Sequence, residues 1–298
     1  MSEERALEFI NNAKLDLKTN WFLELVGIKL CDELAAADSY IKAANQYKII
    51  DSYEKAAETF LLAVKIYKKK SKHNIVAAIV NAADCYHKAH NYTLAKKYYH
   101  KAIVIFEENS NFTNAAKYLK ILASIYEEDD DDVDVDVDTA IKLYKLASKY
   151  FKSSSMSHEH LNCMINIANI HIKENNYGEA FNWYESIANY YNKETILHFK
   201  YAEYCFNALI CLLHGEDCIA CEKTLEKYST LNSTFKTTAE YSIISSIIQS
   251  FERGDIENFS RTIKSNTIYR KFKDWHHPIL DKLQSKLEQQ DNDEYDLC

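Results

Sequence analysis

The sequence predicts an all-α fold made of stacked helical hairpins. Along its 298 residues, a small residue at i, an aromatic at i+4 and a second small residue at i+7 recur about every 40 residues. This spacing puts the three side chains on one helix face. The copies, the last of them weaker, are Ala56, Phe60 and Ala63; Ala95, Tyr99 and Ala102; Ala140, Tyr144 and Ala147; and Ala180, Tyr184 and Ile187. Only four glycines and one proline occur, which disfavours strand-rich and Rossmann-type folds.

A second motif indicates the other helix of each hairpin. It starts twelve residues before three of the copies, as Ala44 and Tyr47, Ala83 and Tyr86, and Ala168 and His171. Two helices per repeat, joined by a short turn, predict a right-handed superhelical solenoid of TPR-like hairpins. Proteins of this architecture mostly bind other proteins.

The predicted helices follow in chain order. The first, at 3–18, is amphipathic and carries Leu7, Ile10, Lys14 and Leu17 on one face. Repeat helices are expected near 32–50, 53–70, 73–90, 92–109, 112–127, 138–152, 158–175, 177–191, 195–213 and 216–230. Beyond residue 232 the motif fades, and helices near 234–251, 255–265 and 268–290 are expected to form a C-terminal helical cap bundle.

Short turns separate the repeat helices. They are marked by Asn91, Asn111, Asn175–Asn176 and Gly215, residue types that tolerate a left-handed backbone. Four segments are therefore expected: an N-terminal helix and apolar loop at 1–31, the hairpin array at 32–232, the cap at 233–290 and an acidic tail at 291–298.

One insertion interrupts the repeat register. Ala140 follows Ala123 by seventeen residues instead of twelve, and nine of the twelve residues from Glu127 to Asp138 are acidic. Repulsion within this run predicts a solvated loop. A calcium site is the alternative, although the run lacks the glycine and the final glutamate of an EF-hand.

Composition excludes several classes of function. The net charge of −8 argues against nucleic acid as the main partner. No run of about 18 apolar residues occurs, and the N-terminus lacks the pattern of a signal peptide, so the eight cysteines are expected to stay reduced in the cytosol. No phosphate-binding glycine loop and no catalytic motif occurs, so we expect neither an enzyme nor a cofactor.

One cluster has the spacing of metal ligands. Cys211, His214, Cys218 and Cys221 combine residue types and intervals that bind zinc if brought together. They straddle a predicted turn between helices, where cysteines also pack as small apolar residues. We favour packing and expect no metal site.

Both ends of the chain are distinctive. The N-terminal segment contains five apolar residues that break the helical pattern, namely Trp21, Phe22, Leu23, Leu25 and Val26. The C-terminus carries four acids and no base from Asp291 onwards, with Leu297 as the penultimate residue.

These features, in this order, resemble the soluble NSF attachment proteins (SNAPs), most closely the alpha and beta forms, over nearly the full chain. The segments 40–47, 111–117 and 140–144 look like the corresponding family segments, as do Ser71-Lys72-His73 and Trp275. The resemblance implies a non-enzymatic adaptor in vesicular transport and membrane fusion. Such an adaptor binds the assembled four-helix SNARE complex, which contains a syntaxin-type protein, and recruits the hexameric ATPase NSF to take it apart. It also implies a cytoplasmic protein that is peripheral on the cytosolic face of transport membranes, including those between ER and Golgi.

The resemblance assigns a membrane contact to Trp21, Phe22, Leu23, Leu25 and Val26. Partial insertion of five such side chains contributes roughly 4–8 kcal/mol, enough for a reversible hold. The alternative is that these residues pin the first helix onto the array.

The resemblance also assigns two protein contacts. Lys117 matches a family lysine of the SNARE-binding face, and Lys88 and Lys200 lie near others by register, or else are ordinary solvated lysines. His87, Asn162 and Asn166 stand where the family tends to have lysines. Glu252, Asp293, Glu294, Asp296 and Leu297 match its ATPase contact, although a disordered, solubilising tail is the alternative. A general TPR-type scaffold that captures peptides in a chaperone or transport complex is the alternative function.

Overall fold

The computed structural model describes residues 2–18, 33–67, 72–127, 136–193, 198–264 and 272–295. These ranges contain fourteen α-helices, two short 3₁₀-helices and no strand. The helices are α1 (Ser2–Asp16), α2 (Glu33–Ile49), α3 (Tyr53–Tyr67), α4 (Lys72–Lys88), α5 (Tyr92–Glu108), α6 (Phe112–Glu127), α7 (Val137–Ser153), α8 (Ser157–Lys173), α9 (Tyr177–Asn192), α10 (His198–Leu213), α11 (Cys218–Leu231), α12 (Ala239–Arg253), α13 (Ile256–Lys264) and α14 (His277–Tyr295). The 3₁₀-helices are Ser233–Thr237 and Asp274–His276. The all-α prediction is confirmed.

The chain divides into two compact units, Met1–His160 and Leu161–Cys298. In the first unit, each helix from α1 to α6 packs against the next one along the chain. This serial packing is the arrangement expected of stacked hairpins.

The repeated triplet forms the interior of these hairpins, as predicted. Its twelve residues are all buried, with exposures of 0–1%. Alanine at the first position of every copy, and at the last position of three, lets neighbouring helices approach closely, and the aromatic ring between them fills the remaining space.

The repeat tyrosines also make a hydrogen bond that the pattern did not reveal. Each hydroxyl donates to a polar side chain of the preceding helix: Tyr99 to Asp84 at 2.6 Å, Tyr144 to Glu127 at 3.2 Å and Tyr184 to Asn169 at 3.1 Å. Burial and the bond to Asp84 raise the pKa of Tyr99. The bond satisfies a polar group that burial would otherwise penalise.

Helix α1 buries only part of the predicted face. Leu7 is half exposed and Lys14 is exposed, whereas Ala6 and Ala13 are fully buried. With the half-buried Ile10 between them, they form the same small–large–small triplet as the later repeats. The prediction is confirmed for Ile10 and Leu17, which pack on the core beside Ala13. It is wrong for Leu7 and Lys14, because close approach to α2 and α3 requires small residues.

The turns differ from the prediction in which residue has the left-handed backbone conformation. Asn175 has a positive φ as expected, but at the other turns His90, Ser110 and Glu216 do, with φ between 54° and 61°. Asn91 instead caps α5, since its side chain accepts the amide hydrogen bond of Leu94 at 3.2 Å. An asparagine at a helix start gains more from capping than from a left-handed backbone.

In the second unit, the part of α8 from residue 161 onwards and helices α9 to α14 surround one apolar core. The predicted single helix at 268–290 is wrong: Lys273 has an extended backbone, a 3₁₀ turn covers Asp274–His276, and α14 starts at His277. Pro278 explains the start, because proline lacks an amide hydrogen and fits only the first turn of a helix.

A buried histidine attaches the start of α14 to α10. The Nε2–H of His276 donates to Asn207 Oδ1 at 3.2 Å, and its Nδ1 accepts from the backbone amide of Lys273 at 3.1 Å. Burial, together with the charge of Lys273, lowers the pKa of His276 to about 3, so the ring is neutral. The adjacent Trp275 stacks on Tyr184 of α9 with ring centroids 5.8 Å apart.

Candidate partner-binding surfaces

Lys88 is exposed at the C-terminal end of α4. Its Nζ lies 5.4 Å from the centre of the Tyr53 ring, at the edge of a pocket of about 390 Å³ that the turn between α2 and α3 forms. A cation beside an aromatic ring remains available to an acidic partner, because the ring does not neutralise it.

Lys117 is exposed near the start of α6, two helices further along. Its Nζ lies 5.4 Å from the centre of the Tyr118 ring, which stacks on Phe106 at 5.5 Å. Ala83 and Ala123 occupy equivalent positions of the repeat motif. Lys88 lies five residues after Ala83, and Lys117 lies six residues before Ala123, so the two lysines are eleven residues apart in the repeat register. Eleven residues make about three helical turns, so both lysines occupy the same face of equivalent helices, at opposite ends.

Lys200 differs from the other two lysines. It is half-buried in the first turn of α10, and its Nζ bonds to Glu203 at 2.9 Å. By repeat register it corresponds to the buried Ala115 rather than to Lys117. The hydrogen bond to Glu203 raises the pKa of Lys200.

Glu203 is shared between two lysines. Burial alone would raise its pKa, but the hydrogen bond from Lys200 and the charge of Lys273, 3.4 Å away, lower it below its usual value. The positive charge of Lys200 is therefore largely compensated within the molecule.

Glu252 lies exposed at the end of α12, next to Glu222 of α11. Partial burial and the negative charge of Glu222 raise the pKa of Glu252, and the two carboxyl groups share a hydrogen bond when one is protonated. Two carboxyl groups held together form an acidic point that a basic partner would stabilise.

Ion pairs attach α14 near this acidic point. Glu216, in the turn between α10 and α11, bonds to Lys282 at 3.0 Å and to Lys286. These hydrogen bonds lower the pKa of Glu216. These ion pairs hold α14 against the turn at Glu216. The backbone of α14 stays helical through the predicted tail residues Asp293 and Glu294 to Tyr295.

Several predicted contacts lie outside the described residues. They are Trp21, Phe22, Leu23, Leu25 and Val26 of the apolar loop, and Asp296 and Leu297 of the tail. Residues 128–135 of the acidic insertion also lie outside. At its two ends, Glu127 closes α6 and Asp136 caps α7 by accepting the amide hydrogen bond of Thr139 at 2.9 Å.

The cysteine cluster is packed among the helices. Cys211 and Cys221 are buried, burial raises the pKa of both thiols, and His214 stacks on Tyr177 with ring centroids 4.2 Å apart. Among the described residues, no three His, Cys, Asp or Glu side chains are grouped to hold a metal ion. Within the same ranges, no helix combines the length and apolar character needed to cross a membrane.

A family model described as "Soluble NSF attachment protein, SNAP" matches residues 4–288. The chain belongs to this family. The resemblance seen in the sequence is thereby confirmed.

Similar SNAP proteins occur in distant organisms. The alpha-soluble NSF attachment protein of Vitis vinifera is 26% identical over 266 residues, covering 88% of this chain and 89% of that protein. The alpha-soluble NSF attachment protein of Mus musculus is 23% identical over 263 residues, covering 88% and 86%. At such identities, individual contact residues are expected to vary within a common fold.

The fold has also been seen in a solved structure. The crystal structure of a signal transduction ATPase with a tetratricopeptide repeat sensor, from Pyrococcus horikoshii, aligns with a TM-score of 0.50 at 15% identity. The alignment covers 95% of this chain and 44% of that one, and it supports the TPR-like prediction.

Proposed function

We propose that this SNAP-family protein is an adaptor that binds assembled SNARE complexes and recruits and stimulates the hexameric ATPase NSF, which separates the SNARE proteins after membrane fusion. The observation that carries the proposal is the family match over residues 4–288. In this proposal the partner ATPase hydrolyses ATP, and the adaptor transmits the pull without catalysing a reaction.

Lys88 and Lys117 are the proposed centre of the SNARE contact. Both are exposed, both lie on one face of equivalent helices in the first unit, and each ammonium group lies beside an aromatic ring. An acidic helical bundle is their natural complement, because opposite charges steer association and set its salt dependence. Lys200 is expected to contribute less, since Glu203 already binds its ammonium group.

The proposed ATPase contact lies at the other end of the chain. Glu252 supports it with the acidic point it forms beside Glu222, and α14 carries Asp293 and Glu294 towards Asp296 and Leu297. Acids would pair with a basic surface of the ATPase, and the leucine would fill an apolar site. The second unit is thus proposed to meet the ATPase.

The apolar residues Trp21, Phe22, Leu23, Leu25 and Val26 are proposed to touch the membrane. Helix α1 is already anchored by Ala6 and Ala13, both fully buried, so it does not need a separate apolar staple. This leaves the loop for a reversible hold on the cytosolic face of transport membranes.

Leu297→Ala tests the ATPase contact. We expect the variant to bind immobilised SNARE complex as the wild type does but to lose most ATP-dependent disassembly. The matched control is Leu34→Ala, which removes another exposed leucine, 48% accessible, from the first unit. Normal disassembly by Leu297→Ala would contradict the assignment.

Lys117→Glu tests the SNARE contact, with Lys223→Glu as the control at an exposed position of the second unit. We expect the first variant to bind SNARE complex at least about tenfold more weakly at low salt, and the second to bind normally.

The alternative function, a general peptide-binding scaffold, is tested by deleting residues 288–298. If the protein were such a scaffold, the deletion would leave the partners that it captures unchanged.

A further inference from the structure

Helix α7 carries a row of lysines that the adaptor function does not use. Lys142, Lys145, Lys149 and Lys152 are all exposed. Their spacing of three, four and three residues confines them to an arc of about 80° and spreads them over about 15 Å of helix. Asp138, in the first turn, is the only acid of the helix.

The row continues on the neighbouring helix. The hydroxyl of Tyr150 on α7 donates to Glu107 of α5 at 2.9 Å, which places the two helices side by side. Helix α5 adds the exposed Lys97 and Lys101, and Lys97 has the same repeat register as Lys142. We call these six lysines of α5 and α7 the lysine face.

The described acids around this face stand at its ends. Glu107 is engaged by Tyr150, and Glu108 lies at the end of α5. At the start of α7, Asp138 lies in the first turn, and the capping Asp136 interacts electrostatically with Lys142. The face is basic although the whole chain carries a net charge of −8. Positive charge is therefore concentrated here rather than spread evenly.

We propose that the lysine face binds the anionic phospholipid surface of a membrane. Its cations are all lysines, and neither α5 nor α7 contains an arginine. Lysine acts as a point charge towards diffuse negative charge, whereas arginine is favoured for bidentate recognition of one carboxylate or phosphate. The exposed Val104 lies on the same side of α5 as Lys97 and Lys101 by helical spacing, and it suits the boundary between headgroups and acyl chains.

This binding differs from that proposed for the apolar loop. Apolar insertion does not require charged lipid, whereas each lysine near an anionic bilayer raises the affinity about fivefold, and salt weakens the effect. The lysine face does not depend on the SNARE or ATPase contacts either, so its test needs neither partner.

The test is co-sedimentation of the full chain with phosphatidylcholine vesicles, with or without about 30% phosphatidylserine. Four lysines of α7 are changed to glutamine, which has a similar helix propensity. The control carries the same change of net charge at four exposed lysines of the second unit: Lys193, Lys223, Lys236 and Lys264. Circular dichroism establishes that both variants are folded.

We expect the α7 variant to bind phosphatidylserine vesicles at least about tenfold more weakly than the wild type, and the control to bind nearly normally. Wild-type binding should fall as salt rises. Equal losses in both variants, or unchanged binding of the α7 variant, would overturn the proposal. An α7 variant that keeps vesicle binding but no longer binds SNARE complex would also overturn the proposal, because the lysine face would then bind an acidic protein.

Trp21→Ser combined with Phe22→Ser separates the two membrane contacts. We expect this loop variant to weaken binding to both kinds of vesicle, whereas the α7 variant weakens binding only to those with phosphatidylserine. An α7 variant that also weakens binding to pure phosphatidylcholine vesicles would contradict the proposal.

Discussion

His276 is expected to make the second unit sensitive to acid. Its pKa is about 3 in the folded protein, against 6.5 in an unfolded chain, because the ring is fully buried and lies beside the charges of Lys273 and His277. Between these values the unfolded state binds the proton and the folded state does not. Stability is therefore complete above pH 6.5 and decreases as the pH falls.

The magnitude follows from the difference in pKa. Two pH units below 6.5, a single histidine of this kind removes about 2–3 kcal/mol from the free energy of unfolding. Loss on this scale would loosen the start of α14, which carries the proposed ATPase contact. Carboxyl groups also titrate in this range, so the contribution of His276 must be isolated by comparison.

The assay is urea unfolding of the wild type and His276→Gln at pH 7 and at about pH 4.5. We expect the variant to be less stable at pH 7 but to lose about 2–3 kcal/mol less on acidification. His158→Gln is the control, because His158 is exposed and its variant should follow the wild type. Should His276→Gln fail to fold, NMR titration of the wild type applies instead. A His276 ring that protonates near pH 6.5, or equal acid losses in wild type and variant, would refute the reasoning.

Three other changes test the packing. Tyr99→Phe should cost about 1–3 kcal/mol in urea unfolding, because Asp84 loses its 2.6 Å hydrogen bond; an unchanged midpoint would contradict this. Ala83→Leu should cost about 1–3 kcal/mol, because its position is fully buried against neighbouring helices, and a more stable variant would argue against close packing. Glu252→Gln should leave thermal stability at pH 7 unchanged or higher, since it removes repulsion from Glu222, while weakening ATPase recruitment; a marked fall in melting temperature would disprove it.

Much of the fold could be predicted from local pattern. The triplets around Phe60, Tyr99, Tyr144 and Tyr184 identified the buried face of each repeat, because residues at i, i+4 and i+7 share a face in any α-helix. The same rule would have found Ala6, Ile10 and Ala13 in α1 if small residues had been weighted as heavily as large ones.

The candidate contacts were less predictable. Lys117 and Lys88 are exposed as their assigned roles require, but Lys200 is bound to Glu203, which is shared with Lys273 of a distant segment. Repeat register indicates which helix face a lysine occupies. It does not indicate which carboxylate of a distant segment lies beside that lysine.

The amino-acid sequence alone determined the helical class, the repeat and the family, because these depend on short-range periodicity and on the order of segments. Only the tertiary structure decided that His276 meets Asn207, 69 residues away in the chain, and that Glu252 stands against Glu222. Such pairs form where the helices fold back on one another, so the charge and stability of each group are set by neighbours that local sequence does not encode.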